Sequence, residues 1–211
     1  MSAKSPRELD YLALNAFPRG IGIRLVRNEE FDLLYNLAVR HFGDEIASFD
    51  VVRRVVNHNP ASAYSIGRCC EDEDDFRPLG YVALLLLNRK GVRALEAGKL
   101  DAAEPDLSLL VLPGHEPAGI YVWGVVAVGK AAAGLISVME VLKTEPYRRA
   151  DVYARPASVS GLHLMQALHF ERCFNGVDPG DKPLYRYKRV VNRKRRDDAG
   201  LDQRSVRGLG A

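Results

Sequence analysis

The run VVAVGKAAAG, from Val125 to Gly134, joins a strand-like apolar stretch to a helix-like one through small residues. Where a helix begins, the first N–H groups lack an intrahelical acceptor and carry the positive end of the helix dipole, so they can face an anion. Small side chains at Gly129, Ala131, Ala132, Ala133 and Gly134 would let such a ligand come close, and Lys130 could add a charge-assisted contact. The same residues also suit a helix start packed closely on a neighbour, and the pattern alone leaves both uses open.

Other groups able to do chemistry are few. His163 can titrate near neutrality. Glu116 and Tyr121 flank and enter the strongest apolar run of the chain. Cys69 and Cys70 adjoin Glu71, Asp72 and Asp74, whose negative field disfavours a thiolate, so they read as unreactive strand-end residues. The cysteines show no CxxC spacing, and the five histidines form no i, i+4 pair, so no metal site is expected.

The elements that would position these groups follow from hydrophobic periodicity. Ile21 to Leu25 alternates as a short strand; Asn28 is placed to cap a helix whose Phe31, Leu34, Tyr35, Ala38 and Phe42 share a face; a second helix runs from Phe49 to Asn57. Ala63 to Arg68 and Leu79 to Asn88 read as strands joined by the acidic CEDEDD tip, the second apolar enough to be buried on both faces. A short helix over Lys90 to Leu100 precedes a Pro- and Gly-punctuated stretch. Then come a strand from Ile120 to Val128, a helix from Ala131 to Lys143, a strand at Asp151 to Ala154, and a helix from Ser158 to Leu168. Strands at Glu171 to Phe174 and Leu184 to Val191 close the series.

That order of elements resembles the GNAT superfamily of N-acetyltransferases over roughly Ile21 to Val191. The resemblance implies an α/β fold of the acyl-CoA N-acyltransferase type, a mixed and mostly antiparallel sheet flanked by helices. VVAVGKAAAGLISVMEVL is similar to the family's central strand, its Q/R-x-x-G-x-G/A turn and the following helix. One register puts Lys130, Ala133 and Leu135 at the motif positions; a shift by one puts Gly129, Ala132 and Gly134 there. ADVYARPASVSGLHLMQALHFERC is similar to the family's closing strand and helix, with His169 in place of the usual Gly.

The resemblance implies acetyl-CoA as co-substrate and no metal. Backbone amides of Gly129, Lys130, Ala131, Ala132, Ala133 and Gly134 would hold the phosphates, and Val126 and Val128 would offer backbone groups to the pantetheine arm. The acceptor would be a primary amine of a small molecule or protein. Glu116, Tyr121 and His163 are the candidates for proton transfer, because Met165 occupies the place where many family members carry a tyrosine acid. The alternative is a GNAT-like domain without chemistry, serving as a ligand-binding or interaction module.

Composition sets the outer bounds. With 211 residues, 47% hydrophobic and 27% charged, the chain suits one domain over residues 20–191, an N-terminal extension over 1–19 and a basic, disordered tail over 192–211. The RKRR run of that tail lacks an aromatic platform, which makes nucleic acid an unlikely partner. Three thiols, no signal-like start and no apolar run of membrane-spanning length lead to the expectation of a soluble cytoplasmic protein with no membrane partner. The long apolar strand from Tyr81 to Leu87 leaves room for a homodimer.

Overall fold

The structure is a computed structural model that describes residues 20–43, 46–68, 76–173 and 183–189. The extension, the tail, Cys69, Cys70 and the EDEDD run lie outside the described residues, as do the expected strand ends at Phe174, Val190 and Val191. Seven strands form one sheet in the order β1-β2-β3-β4-β5-β7-β6. They are β1 (Ile21–Leu25), β2 (Ala63–Arg68), β3 (Arg77–Leu87), β4 (Gly119–Val126), β5 (Asp151–Ala154), β6 (Glu171–Arg172) and β7 (Tyr185–Tyr187). Every pairing is antiparallel except that of β4 with β5.

Helices α1 (Phe31–Phe42) and α2 (Phe49–His58) connect β1 to β2, and α3 (Arg89–Glu96) follows β3. Helix α4 (Gly134–Val141) makes the crossover that the parallel β4/β5 pair requires, and α5 (Val159–Ala167) follows β5. Strand alternation divides the core by faces. Ile66, Leu84, Leu86 and Ile120 pack with Val138 and Leu142 of α4 on one side. Leu85, Leu87, Tyr121 and Tyr153 pack with Val55 of α2 and Leu95 of α3 on the other. The mixed, mostly antiparallel sheet flanked by helices is therefore as expected.

Strand β3 explains why the long apolar run needs no second chain. It pairs on both sides, with β2 and with β4, and Leu84 to Leu87 are at most 1% exposed. The apolar run is thus interior to the sheet.

Local chemistry accounts for several boundaries. Asn28 is not the expected helix cap: it begins a short 3-10 turn over Asn28–Glu30, and Glu30 instead accepts a hydrogen bond from the Arg27 N–H at 3.1 Å. Ser158 caps α5 as expected, accepting from the Gly161 N–H at 3.1 Å. Asn88 caps α3 by accepting from the Lys90 and Gly91 N–H groups at 2.9 and 3.0 Å. Its amide nitrogen also donates to the Ser108 and Leu110 carbonyls at 2.8 and 3.3 Å. Asn88→Ala is accordingly expected to cost about 1–2 kcal/mol from the cap alone, measured by urea denaturation, and more where the two carbonyls stay unsolvated.

Candidate functional site

The site begins with an irregularity in β4. Gly124 pairs with Ala83 and Val122 with Leu84, which leaves Trp123 as an extra residue, a β-bulge. The bulge lets Val122 and Val125, three apart, both face the α4 side of the core. Trp123 turns to the opposite face, where its indole N–H donates to the Ala102 carbonyl at 2.8 Å.

Beyond the bulge, β4 and β5 part. They pair from Gly119 with Asp151 up to Val122 with Ala154, and β5 then ends at Arg155-Pro156, where proline supplies no ladder donor and restrains the residue before it. Strand β4 continues to Val126, still paired with β3 through Ala83, Val82 and Tyr81. Among the described residues its edge toward β5 has no strand partner from Trp123 to Val126. The closed end of this fork is pinned by charge: Asp151 accepts from Arg186 Nε at 2.9 Å and from the Arg189 N–H at 2.7 Å, while the Tyr153 hydroxyl donates to Glu96 at 2.8 Å.

The strand ends at Val126, two residues before the expected Val128, where its pairing with β3 stops at Tyr81. Gly129–Ala133 then forms a 3-10 turn that leads into α4, so the helix starts at Gly134 rather than at Ala131. Gly129 has φ +60°, a conformation that suits glycine, and a Cβ there would meet nothing within 4 Å. The Ala131 N–H bonds to the Val128 carbonyl at 3.2 Å, which leaves the N–H groups of Gly129 and Lys130 as the ones that 3-10 geometry does not use. Val128, Gly129 and Lys130 are exposed around this open corner.

The loop residues thus divide into two sets. Ala131 is 1% exposed and belongs to the core. Gly134 is buried too, and a Cβ on it would lie 2.3 Å from Ile66 Cγ2, so its small size serves close packing on β2 rather than a phosphate cradle. Its N–H bonds to the Ala131 and Ala132 carbonyls. Of the predicted anion-binding amides, those of Gly129 and Lys130 have the geometry for the task, whereas those of Ala131 and Gly134 are already engaged.

The proton-transfer candidates do not converge. Tyr121 is 7% exposed near the closed end of the fork, and burial raises its phenol above the usual range, with Arg155 partly offsetting it. It lines a small cavity of about 100 Å³ with Leu95, Gly98, Leu100, Ala102 and Arg155. Glu116 stands before the start of β4, 4.0 Å from Arg149, at the far end of the strand from the 129–134 turn. Eight strand residues intervene, a span on the order of 26 Å. It borders a separate cavity of about 390 Å³ with Asn88, Arg89, Pro117, Ala118 and Arg149. His163 is exposed on α5, whereas Met165 is buried.

One group that sequence reading missed does face the fork. Tyr81 of β3 lies diagonally over Gly124, its hydroxyl and Cε2 both 3.6 Å from where a Gly124 Cβ would be. Only the cross-strand register reveals that proximity.

No protein-family model matches the chain, and no curated protein matches its sequence. Among solved structures, the crystal structure of Arabidopsis thaliana NAA60 in complex with a bisubstrate analogue is similar over 79% of this chain and 97% of that one, with a TM-score of 0.45 and 15% sequence identity. Among the described residues the fold itself is a seven-strand, mostly antiparallel sheet with one parallel pair, flanked by helices. Among the described residues no group of three His, Cys, Asp or Glu side chains could hold a metal ion, and no helix is long and apolar enough to cross a membrane.

Proposed function

We propose that the chain is a cytoplasmic acetyl-CoA-dependent N-acetyltransferase that acylates a primary amine on a small molecule or protein. The observation that supports this most is the unpaired edge of β4 from Trp123 to Val126, leading directly to the open corner at Gly129 and Lys130. A pantetheine arm carries amide groups that can pair with such an edge as an added strand would. The two N–H groups and the Lys130 ammonium suit the pyrophosphate at the arm's other end. Bound there, the coenzyme supplies an activated acyl carbon; the protein holds it, fixes its direction along β4 and shields it between the parted strands.

The test is a thermal melt of the protein with acetyl-CoA, free coenzyme A and ATP as a control. A ligand at roughly 100 times its Kd adds about 2.7 kcal/mol, which raises Tm by about 5–10 °C in a domain of this size. Lys130→Glu reverses an exposed charge without touching the core, so the same variant is expected to melt like the parent and to lose about tenfold or more in coenzyme A affinity. Equal shifts in parent and variant would remove the corner from the reading, and no shift with any coenzyme would overturn it.

A second reading, a coenzyme-binding or protein-interaction module without chemistry, is favoured by buried Met165 and exposed His163. Binding without acyl transfer to any amine in a broad screen would select it.

A further inference from the structure

We infer that the Tyr81 hydroxyl donates the hydrogen bond that stabilises the departing thiolate in the acyl transfer proposed above, on which this assignment rests. Tyr81 sits opposite Val126 in the β3/β4 ladder, and its ring leans along β4 to Gly124, within the stretch that has lost its β5 partner. From Gly129 back to Gly124 is five residues, about 17 Å of extended chain. An arm anchored at the corner and laid along that edge would bring its sulfur toward the Tyr81 hydroxyl.

Gly124 is what keeps this space open. Any larger side chain there would fill the volume bounded by the Tyr81 ring and Ala83 Cβ, the latter 3.9 Å from the position a Gly124 Cβ would take. Tyr121, by comparison, belongs to the packed cluster where β4 is still held on both sides.

The surroundings of Tyr81 are polar without being satisfied. Arg24, Ser65 and Tyr81 are cross-strand partners in one row. Ser65 is 0% exposed and, among the described residues, its hydroxyl has no hydrogen-bond partner, and neither do Nε and Nη1 of Arg24. No hydrogen bond engages the Tyr81 hydroxyl among the described residues. Phenylalanine would fill the same volume without a polar atom to desolvate, so a packing role alone does not account for the hydroxyl. Burial pushes the phenol up to about 12, well above a thiol near 8.5, so beside a thiolate it keeps its proton and acts as a hydrogen-bond donor.

In the step, the neutral amine nitrogen attacks the thioester carbonyl carbon. The C–N bond forms, the C–S bond breaks, and the sulfur leaves as a thiolate that accepts a hydrogen bond from the Tyr81 hydroxyl. The nitrogen then releases its extra proton to solvent, and Tyr81 keeps its own.

The proposal is tested by binding rather than by turnover. A donor aimed at sulfur lowers the thiol pKa of bound coenzyme A, so affinity must rise with pH between the bound and the free value, the latter near 8.5 for an ordinary thiol. Calorimetric titration of the full chain with coenzyme A and with its desulfo analogue, from pH 7 to 9.5, is expected to show about a tenfold gain for coenzyme A alone. Tyr81→Phe should bind both with equal affinity at every pH, while Tyr121→Phe should keep the gain. Persistence of the gain in Tyr81→Phe, its loss in Tyr121→Phe alone, or a flat profile in the parent would overturn the assignment while leaving coenzyme binding intact. Failure of the parent to bind coenzyme A at any pH would instead overturn the proposed function and this step with it.

Discussion

Gly134→Leu is expected to lower the melting temperature by roughly 5–12 °C, whether or not a coenzyme is present. A Cβ at this position falls 2.3 Å from Ile66 Cγ2, and Ile66 is itself 0% exposed in the middle of β2. Neither partner can yield: β2 is held between β1 and β3, and α4 is fixed by Val138 and Leu142 in the same cluster. Overpacking of this kind costs about 1–3 kcal/mol and more where relief is blocked, and each kcal/mol moves Tm by about 2–4 °C at this chain length. Ala132→Leu, two residues away and exposed, should change stability by less than about 0.5 kcal/mol. A Gly134→Leu protein that melts like the parent would show that the α4/β2 contact is looser than the structure has it. The pairing of variants also separates packing from ligand binding, which a charged replacement of Gly134 could not do.

The second large effect is on stability in alkali. Tyr64, Tyr81 and Tyr153 all carry phenols raised by burial above their usual value near 10, Tyr64 with help from Tyr147 and Tyr153 with help from its bond to Glu96. Below pH 10 both folded and unfolded chains keep these protons, and the phenols' contribution is fully present. As pH rises past 10 the unfolded chain releases them first, so the folded state loses ground until its own raised values are reached. Each phenol contributes about 1.4 kcal/mol per pH unit in that window, about 4 kcal/mol per unit for the three. Urea denaturation at half-unit steps from pH 9 to 11.5 measures the slope. Tyr121, also raised by burial, adds to the slope, so Tyr153→Phe should reduce it by about a quarter to a third, and a level profile above pH 10 would contradict the burial of these rings.

Much of the architecture was legible because it depends on local periodicity. The alternation of Ile21, Ile23 and Leu25, the spacing of Phe31, Leu34 and Ala38, and the unbroken apolar run in β3 each specify an element by the face it must bury. Ser158 and Asn59-Pro60 mark helix ends by side-chain chemistry that acts within three residues. Asn28 misled because Glu30 competes for the same turn, bonding the Arg27 N–H and the Arg24 guanidinium, the latter at 2.9 Å, from within the fold.

The candidate site was legible only in outline. Residue types announced a strand, a small-residue turn and a helix, and that succession stands. Which glycine serves packing and which leaves space was not written locally, since it depends on the positive φ that Gly129 adopts and on the Ile66 side chain that β2 places beside Gly134. Glu116 and Tyr121 lie close in sequence, yet strand rise carries them toward opposite concerns: one borders a cavity at the start of β4, the other packs at the closed side of the fork.

The sequence by itself determined the order and kind of elements, the apolar centre of the sheet and the polar, small-residue turn after β4, because each arises from interactions between residues a few positions apart. Tertiary structure alone decided that β4 loses its β5 neighbour after Val122, that Trp123 bulges, that Gly134 meets Ile66 and that Tyr81 reaches over Gly124. Those facts depend on the register between strands far apart in the chain, and register is set by the summed packing of both sheet faces rather than by any one segment.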